Sequence, residues 1–96
     1  MARYILSPAA QADLESIWDY TVTHWGETQA EDYTRKIREA CEALSKGKMV
    51  SRSAEDIRQG YRKVAVGSHV MFFRLQSGVV EIIRILHQSM DVARHL

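Results

Sequence analysis

At 96 residues, 46% of them hydrophobic, the chain is long enough to bury one core and too short for two, so residues 1–96 are expected to form a single domain. A formal net charge of +1 names no partner, the lone cysteine excludes an internal disulfide, and no apolar run approaches the roughly 20 residues that span a bilayer. The opening MARYILSPAA also lacks the apolar segment of a secretory signal, which leaves a cytoplasmic protein as the expectation.

Charge is unevenly spread. Residues 1–46 hold five Lys/Arg against eight Asp/Glu, a net of −3, and residues 47–96 hold eight against four, a net of +4. Three of the four histidines also lie in the second half. Such polarity suits an anionic partner for the second half, or mutual attraction between the halves.

In chain order, Arg3-Tyr4-Ile5-Leu6 has the makeup of a short strand. Ser7-Pro8 then supplies an N-cap and a favourable first helical residue. Leu14, Ile17, Trp18, Thr21, Val22 and Trp25 recur at three- and four-residue steps, predicting one buried helical face, and Gly26 stands where a helix ends. Thr28 and Glu31 have capping-box spacing and predict a second helix, with Ala30, Tyr33, Ile37, Ala40, Cys41 and Leu44 on its apolar face and Lys46-Gly47-Lys48 closing it. So short a turn between two long helices requires an antiparallel hairpin.

After the polar stretch SRSAEDIRQG the pattern changes to short strands. Tyr61–Val66, His69–Leu75 and Val79–Leu86 are joined by Gly67-Ser68 and Ser77-Gly78, an antiparallel meander. Met71, Phe73 and Leu75 are expected on one face of the middle strand; in the last strand, Ile83 and Ile85 oppose Ile82 and Leu86. The fold class is therefore α+β: an N-terminal helix hairpin packed on a small, mostly antiparallel sheet, with the first strand added at an edge. Because the last strand is apolar on both faces and the hairpin covers only one, either a partner chain covers the other face or the sheet curls to hide it.

No nucleotide-binding, zinc-protease or dithiol motif is present, and no cofactor or metal site is expected. Cys41, on the core face of the second helix, is expected to be a buried hydrophobe. His24 suits a local cap, His69 a strand-end hydrogen bond, and Trp18 and Trp25 packing. Arg84 and His87 lie three apart on a strand, so alternation points them to opposite faces and disfavours a joint active site. Asp91 and Arg94 have the spacing to pair on a short terminal helical turn, with Met90 and Leu96 as its anchors.

These stretches together resemble a known family. LSPAAQADLESIWDYTVTHWG (Leu6 to Gly26), QAEDY in the second helix, IRQGYRKVAVGSHVMFFR (Ile57 to Arg74) and above all EIIRILHQSMDVARHL (Glu81 to Leu96) are similar, in order and across nearly the whole chain, to the ParE toxins of bacterial toxin–antitoxin modules, within the ParE/RelE superfamily. The resemblance implies a toxin that is not an enzyme. It implies a poison of DNA gyrase that blocks replication and is held in a hetero-oligomer by a ParD-type antitoxin, with no sequence-specific DNA binding of its own. The RelE branch cleaves mRNA on the ribosome, chemistry that needs a base, an acid and phosphate-binding cations. The tail DVARHL lacks the tyrosine of that branch, leaving Lys63, Arg84, His87 and Arg94 as its only substitutes, and so the non-nuclease reading leads. The loop KGKMVSRSAED also departs from the pattern of many relatives. On this reading Arg84, His87, Gln88, Asp91 and Arg94 bind the target, and losing Arg84 or Arg94 affects toxicity more than folding. Trp18, Tyr33, Phe72 and Phe73 are the expected antitoxin contacts.

Overall fold

The computed structural model describes residues 3–96. The elements run β1 (Arg3–Leu6), α1 (Pro8–Trp25), α2 (Glu27–Ser45), β2 (Arg52–Ser53), β3 (Arg62–Val66), β4 (His69–Gln76), β5 (Val79–His87) and α3 (Val92–His95). They form a sheet in the order β1-β5-β4-β3-β2, antiparallel throughout except for the parallel β1–β5 pair at one edge. Predicted strand β1 and the meander are present, and the two-residue β2 is an addition. SRSAEDIRQG looked like a loop because Arg52 and Ser53 are too few to show a period, yet they pair with Lys63 and Arg62.

Ser7 caps α1 as its sequence position predicts, its hydroxyl accepting the Ala10 N–H at 3.0 Å. The junction of the two helices differs from expectation. Gly26, at φ 92°, ends α1 by donating to the Val22 carbonyl and begins α2 by accepting from Ala30 N–H, so the Thr28 capping box is not used and Thr28 lies inside the helix. One glycine thus serves as both caps, which makes the hairpin turn sharp.

The core between the hairpin and the sheet contains Ala10, Leu14, Ile17, Ile37, Cys41, Leu44, Met71, Phe73, Val80, Ile82 and Ile85. The predicted helical faces are correct at their centres. Thr21 and Thr34 also lie buried, each returning its hydroxyl hydrogen to the carbonyl four residues back, at Ile17 and Ala30. Trp25, on the predicted buried face of α1, is 71% exposed, and Leu75, expected on the same face as Met71 and Phe73, is 67% exposed. Cys41 is 1% exposed and its sulfur touches the Met71 sulfur at 3.8 Å; burial pushes its thiol up to about 11. The native protein is therefore expected to resist a thiol-disulfide reagent at pH 8 and to react fully on unfolding; fast reaction of the folded chain would contradict this packing.

Between Phe72 and Phe73 the β4–β5 register shifts, so that Phe72 opposes Arg84 and Phe73 opposes Ile82, leaving Ile83 as the extra residue. This bulge resets the alternation of β5. Ile82 and Ile85 enter the helix-side core together, whereas Ile83 and Leu86 share the far face, a different partition from the one simple alternation predicts. The far face does not await a partner over its whole extent. Ala54, Tyr61, Phe72 and Leu86 form a second cluster there, completed by Ile57 of the 54–61 loop and by Val92 and Leu96 at the C-terminus. Val92 and Leu96 anchor the terminal turn, while Met90 is 45% exposed and faces elsewhere.

Candidate functional site

Where β1 departs into α1, the outer edge of β5 loses its strand partner and its backbone groups need others. Ser7 meets two of them: its N–H donates to Ile82 O at 2.9 Å and its hydroxyl to Ile83 O at 2.7 Å. Asp13, one turn into α1, meets the next, accepting Ile85 N–H at 2.9 Å. The same carboxylate takes a two-pronged bond from Arg84, Nε at 2.7 Å and Nη2 at 2.8 Å, and Arg84 Nη1 donates to His95 O at 3.0 Å. The bonds to Asp13 hold the Arg84 guanidinium more firmly protonated than a free one. A single carboxylate therefore ties α1 to β5, and a single guanidinium ties β5 to the C-terminal turn. Asp13 escaped the sequence reading; its one available signal is that it stands four residues before Ile17, beside the buried stripe of α1.

On the helix side of the same strand end lies a cluster of rings. His69 and His87 are directly opposed in the β4–β5 register, their rings edge to face with centroids 5.3 Å apart. Tyr33 of α2 reaches across with its hydroxyl 2.6 Å from His69 Nδ1, and it accepts the Ser68 N–H at 3.0 Å. His87 Nδ1 accepts the Ser89 N–H at 3.1 Å and lies 2.7 Å from the Ser89 hydroxyl. Burial, reinforced by repulsion from His87 and opposed by Asp13, holds the His69 imidazole below its ordinary 6.5, so it is neutral at pH 7.

These rings form one wall of a cleft of about 830 Å³ between α1, the start of α2 and the β4–β5 end, floored by Ile17, Thr21 and Ile85 and rimmed by Tyr20, Trp25 and Met90. Its lining has no Lys or Arg, and its one carboxylate, Asp13, is engaged by Arg84. His24 bonds back to Tyr20 O at 2.8 Å and stacks on the Tyr20 ring at 4.0 Å, the local role its position suggested.

Gly67 makes the approach of Tyr33 possible. Its φ is +58°, and a Cβ there would lie 2.6 Å from Tyr33 Cε1 and 2.7 Å from the hydroxyl. Gly67→Ala is expected to destabilise the fold by about 1–3 kcal/mol, through the left-handed backbone and the displaced ring. Thermal melting checks the loss, and an unchanged imidazole NMR signal of His69 in that variant would count against the contact.

The proposed target-facing residues fall into three settings. Arg84 is taken up by the fork with Asp13 and so has a role in the fold that its sequence position did not reveal. His87 faces the cleft. Gln88, Asp91 and Arg94 are exposed, with Asp91 capping α3 through Ala93 N–H and Arg94 3.6 Å from Asp91. Among the proposed antitoxin contacts, Phe72 and Phe73 are 2% and 5% exposed, consecutive residues filling opposite cores, so the free chain presents little of either ring. Tyr33 is half-buried in the ring cluster, and Trp18 lines a separate cleft of about 660 Å³ with Glu31, Arg35 and Arg38.

Residues 4–92 match the family model of the ParE toxin of the type II toxin-antitoxin system, parDE. The chain belongs to the ParE toxin family. Over 96 residues it is 47% identical to Toxin ParE1 of Mycobacterium tuberculosis strain H37Rv, covering 99% of this chain and 98% of that one. It is 46% identical over 97 residues to Toxin ParE1 of Caulobacter vibrioides, covering 100% and 99%. Among solved structures, the chromosomal ParDE toxin–antitoxin system of P. aeruginosa superposes with a TM-score of 0.77 at 24% identity, covering 91% of this chain and 96% of that one. The YoeB–YefM toxin–antitoxin complex of Staphylococcus aureus superposes with a TM-score of 0.60 at 13% identity, covering 91% and 97%, a likeness of fold alone. No helix of the described ParE chain is long and apolar enough to cross a membrane.

Proposed function

We propose that this ParE-family chain is the toxin of a type II module, acts on DNA gyrase without being an enzyme itself, and is neutralised by a ParD-type antitoxin in the cytoplasm. Relatives of nearly equal length named as ParE toxins and a fold neighbour from a ParDE system support the antitoxin partner. The observation that carries the choice between gyrase and mRNA is the scatter of the cations. In-line cleavage of a phosphodiester needs an acid, a base and positive charge converging within about 3 Å of the reacting atoms. Arg84 is bonded to Asp13, His87 to Ser89 and Arg94 lies beside Asp91, while Lys63 sits two strands away from β5. Three of these groups are engaged by partners of their own, and the cleft that holds both histidines has no Lys or Arg in its lining.

The test follows from which synthesis stops first. On induction in cells, DNA synthesis is expected to fall before protein synthesis, and co-expressed antitoxin to restore growth. Arg94→Ala is expected to relieve toxicity with an unchanged melting temperature, because the side chain is 83% exposed. Protein synthesis failing first, with mRNA fragments appearing, would favour the ribosome-dependent reading.

A further inference from the structure

The chain carries −3 in residues 1–46 and +4 in residues 47–96, which suits either attraction between the halves or an anionic partner for the second. The ion pairs decide between the two. Of the five among the described residues, one, Arg84–Asp13, joins the halves; Arg35–Asp32 and Lys46–Glu42 stay in the first, and Arg74–Glu81 and Arg94–Asp91 in the second. Mutual attraction therefore engages a single cation of the second half. Lys48, Arg52, Arg58, Arg62 and Lys63, a group confined to positions 48–63, pair with no carboxylate among the described residues.

The fold gathers three of these cations on the sheet face turned away from the helix hairpin. Arg52 opposes Lys63 and Lys63 opposes Phe72 across consecutive strand pairs, and directly opposed residues share a face, here the one whose cluster Phe72 fills. Arg58 reaches the same face from the 54–61 loop, its guanidinium carbon 5.8 Å from the centre of the Tyr61 ring. Arg62 turns instead to Ser51, donating to its hydroxyl at 2.7 Å and its carbonyl at 2.9 Å. Of the segment's two carboxylates, Glu55 and Asp56, the first accepts the Gly60 N–H at 2.6 Å. Arg52 and Lys63 set like charges directly opposite each other, an arrangement that weakens a strand pair and that folding alone gives no reason to keep.

We propose that Arg52, Arg58 and Lys63 form a contact surface for the phosphodiester backbone of duplex DNA, bound without regard to sequence. The choice of DNA rests on the gyrase reading, because the target of that reading works on a DNA duplex. The choice of a duplex rests on the surface itself. Single strands are gripped by stacking their bases on exposed rings. The exposed aromatic rings, Tyr20 and Trp25, both belong to α1 on the other side of the sheet, and Tyr61 beneath Arg58 is 7% exposed. Charge without stacking fits a duplex, whose phosphates face outward and whose affinity for protein cations is independent of sequence. The toxin then holds the enzyme and its DNA together, and two weak contacts reinforce each other.

The experiment titrates the full-length toxin against a short fluorescent DNA duplex of arbitrary sequence at about 50 and 200 mM salt, beside a gyrase reaction on closed-circular plasmid. Three phosphate contacts predict that wild-type affinity falls about 40-fold between the two salts. In the double variant Arg52→Gln, Lys63→Gln the fall is expected to shrink to about fourfold, with a melting temperature no lower than wild type, since the opposed charges are gone. Lys36→Gln, Arg38→Gln removes the same charge from the exposed side of α2 and is expected to bind DNA as wild type does. Equal losses in the two double variants would overturn the inference, because net charge and not this face would then govern binding. Tighter binding to a single-stranded RNA of the same length than to the duplex would overturn it in favour of RNA. Wild-type toxin that linearises plasmid with gyrase yet fails to bind the duplex at the lower salt would overturn the inference and leave the gyrase reading in place. Duplex binding with the expected salt response, without any effect on gyrase, would support the contact and overturn the gyrase reading.

Discussion

Asp13→Ala is expected to destabilise the protein by about 2–4 kcal/mol, the largest effect of any single polar side chain in the structure. The reasoning is a count of what the carboxylate leaves behind. Arg84 loses the partner of two charge-assisted bonds, and the part-buried Ile85 N–H, on the edge of β5 that β1 has left, loses the carboxylate that accepts from it. The side chains of Asp13 and Arg84 are 13% and 21% exposed, so water replaces those bonds only in part, and the loss falls somewhat below that of a fully buried pair. For a domain of this size the melting temperature falls by more than about 10 °C. Arg84→Ala is expected to cost a similar amount, and the double variant less than the sum, since either change already breaks the link. Melting of Asp13→Ala within about 2 °C of wild type would show that the fork is ornamental.

Phe72→Ala is expected to cost about 3–5 kcal/mol, because the ring is 2% exposed and the far-face cluster is small enough that no neighbour can fill the void. The effect has a location as well as a size. Phe72 belongs to the cluster against which Val92 and Leu96 pack, so its loss is expected to loosen the terminal turn, with amide exchange at residues 92–96 speeding up more than exchange in α1 or α2. Uniform acceleration across the chain would place the ring in the general core instead.

What could be read from the sequence followed from period and punctuation. Ser7-Pro8, Gly26 and the three- and four-residue spacing of Leu14, Ile17 and Thr21 located the hairpin, and Gly67-Ser68 and Ser77-Gly78 located the meander. The failures each have a physical origin. The bulge at Ile83 adds one residue without leaving any mark in composition, yet it inverts the facing of half a strand, and so the partition of Ile83 and Ile85 came out wrong. Phe72 and Phe73 were read as antitoxin contacts on an apolar sheet face; the chain covers the far face, where Phe72 lies, with its own 54–61 loop and C-terminus, which no local pattern announces. At the candidate site, His87, singled out at the polar ending of β5, lines the cleft. Its companions come from positions far apart in the chain. Asp13 lies 71 residues from Arg84 and Tyr33 lies 36 from His69, separations at which a single sequence carries no pairing information.

The measurement that bears most directly on the proposed function is a gyrase reaction: purified protein, gyrase, ATP and closed-circular plasmid, with detergent and protease added at the end to release trapped DNA. Linear plasmid is expected to accumulate with toxin concentration and to disappear when antitoxin is added first. Plasmid that stays intact and is supercoiled normally at every toxin concentration would contradict the gyrase reading.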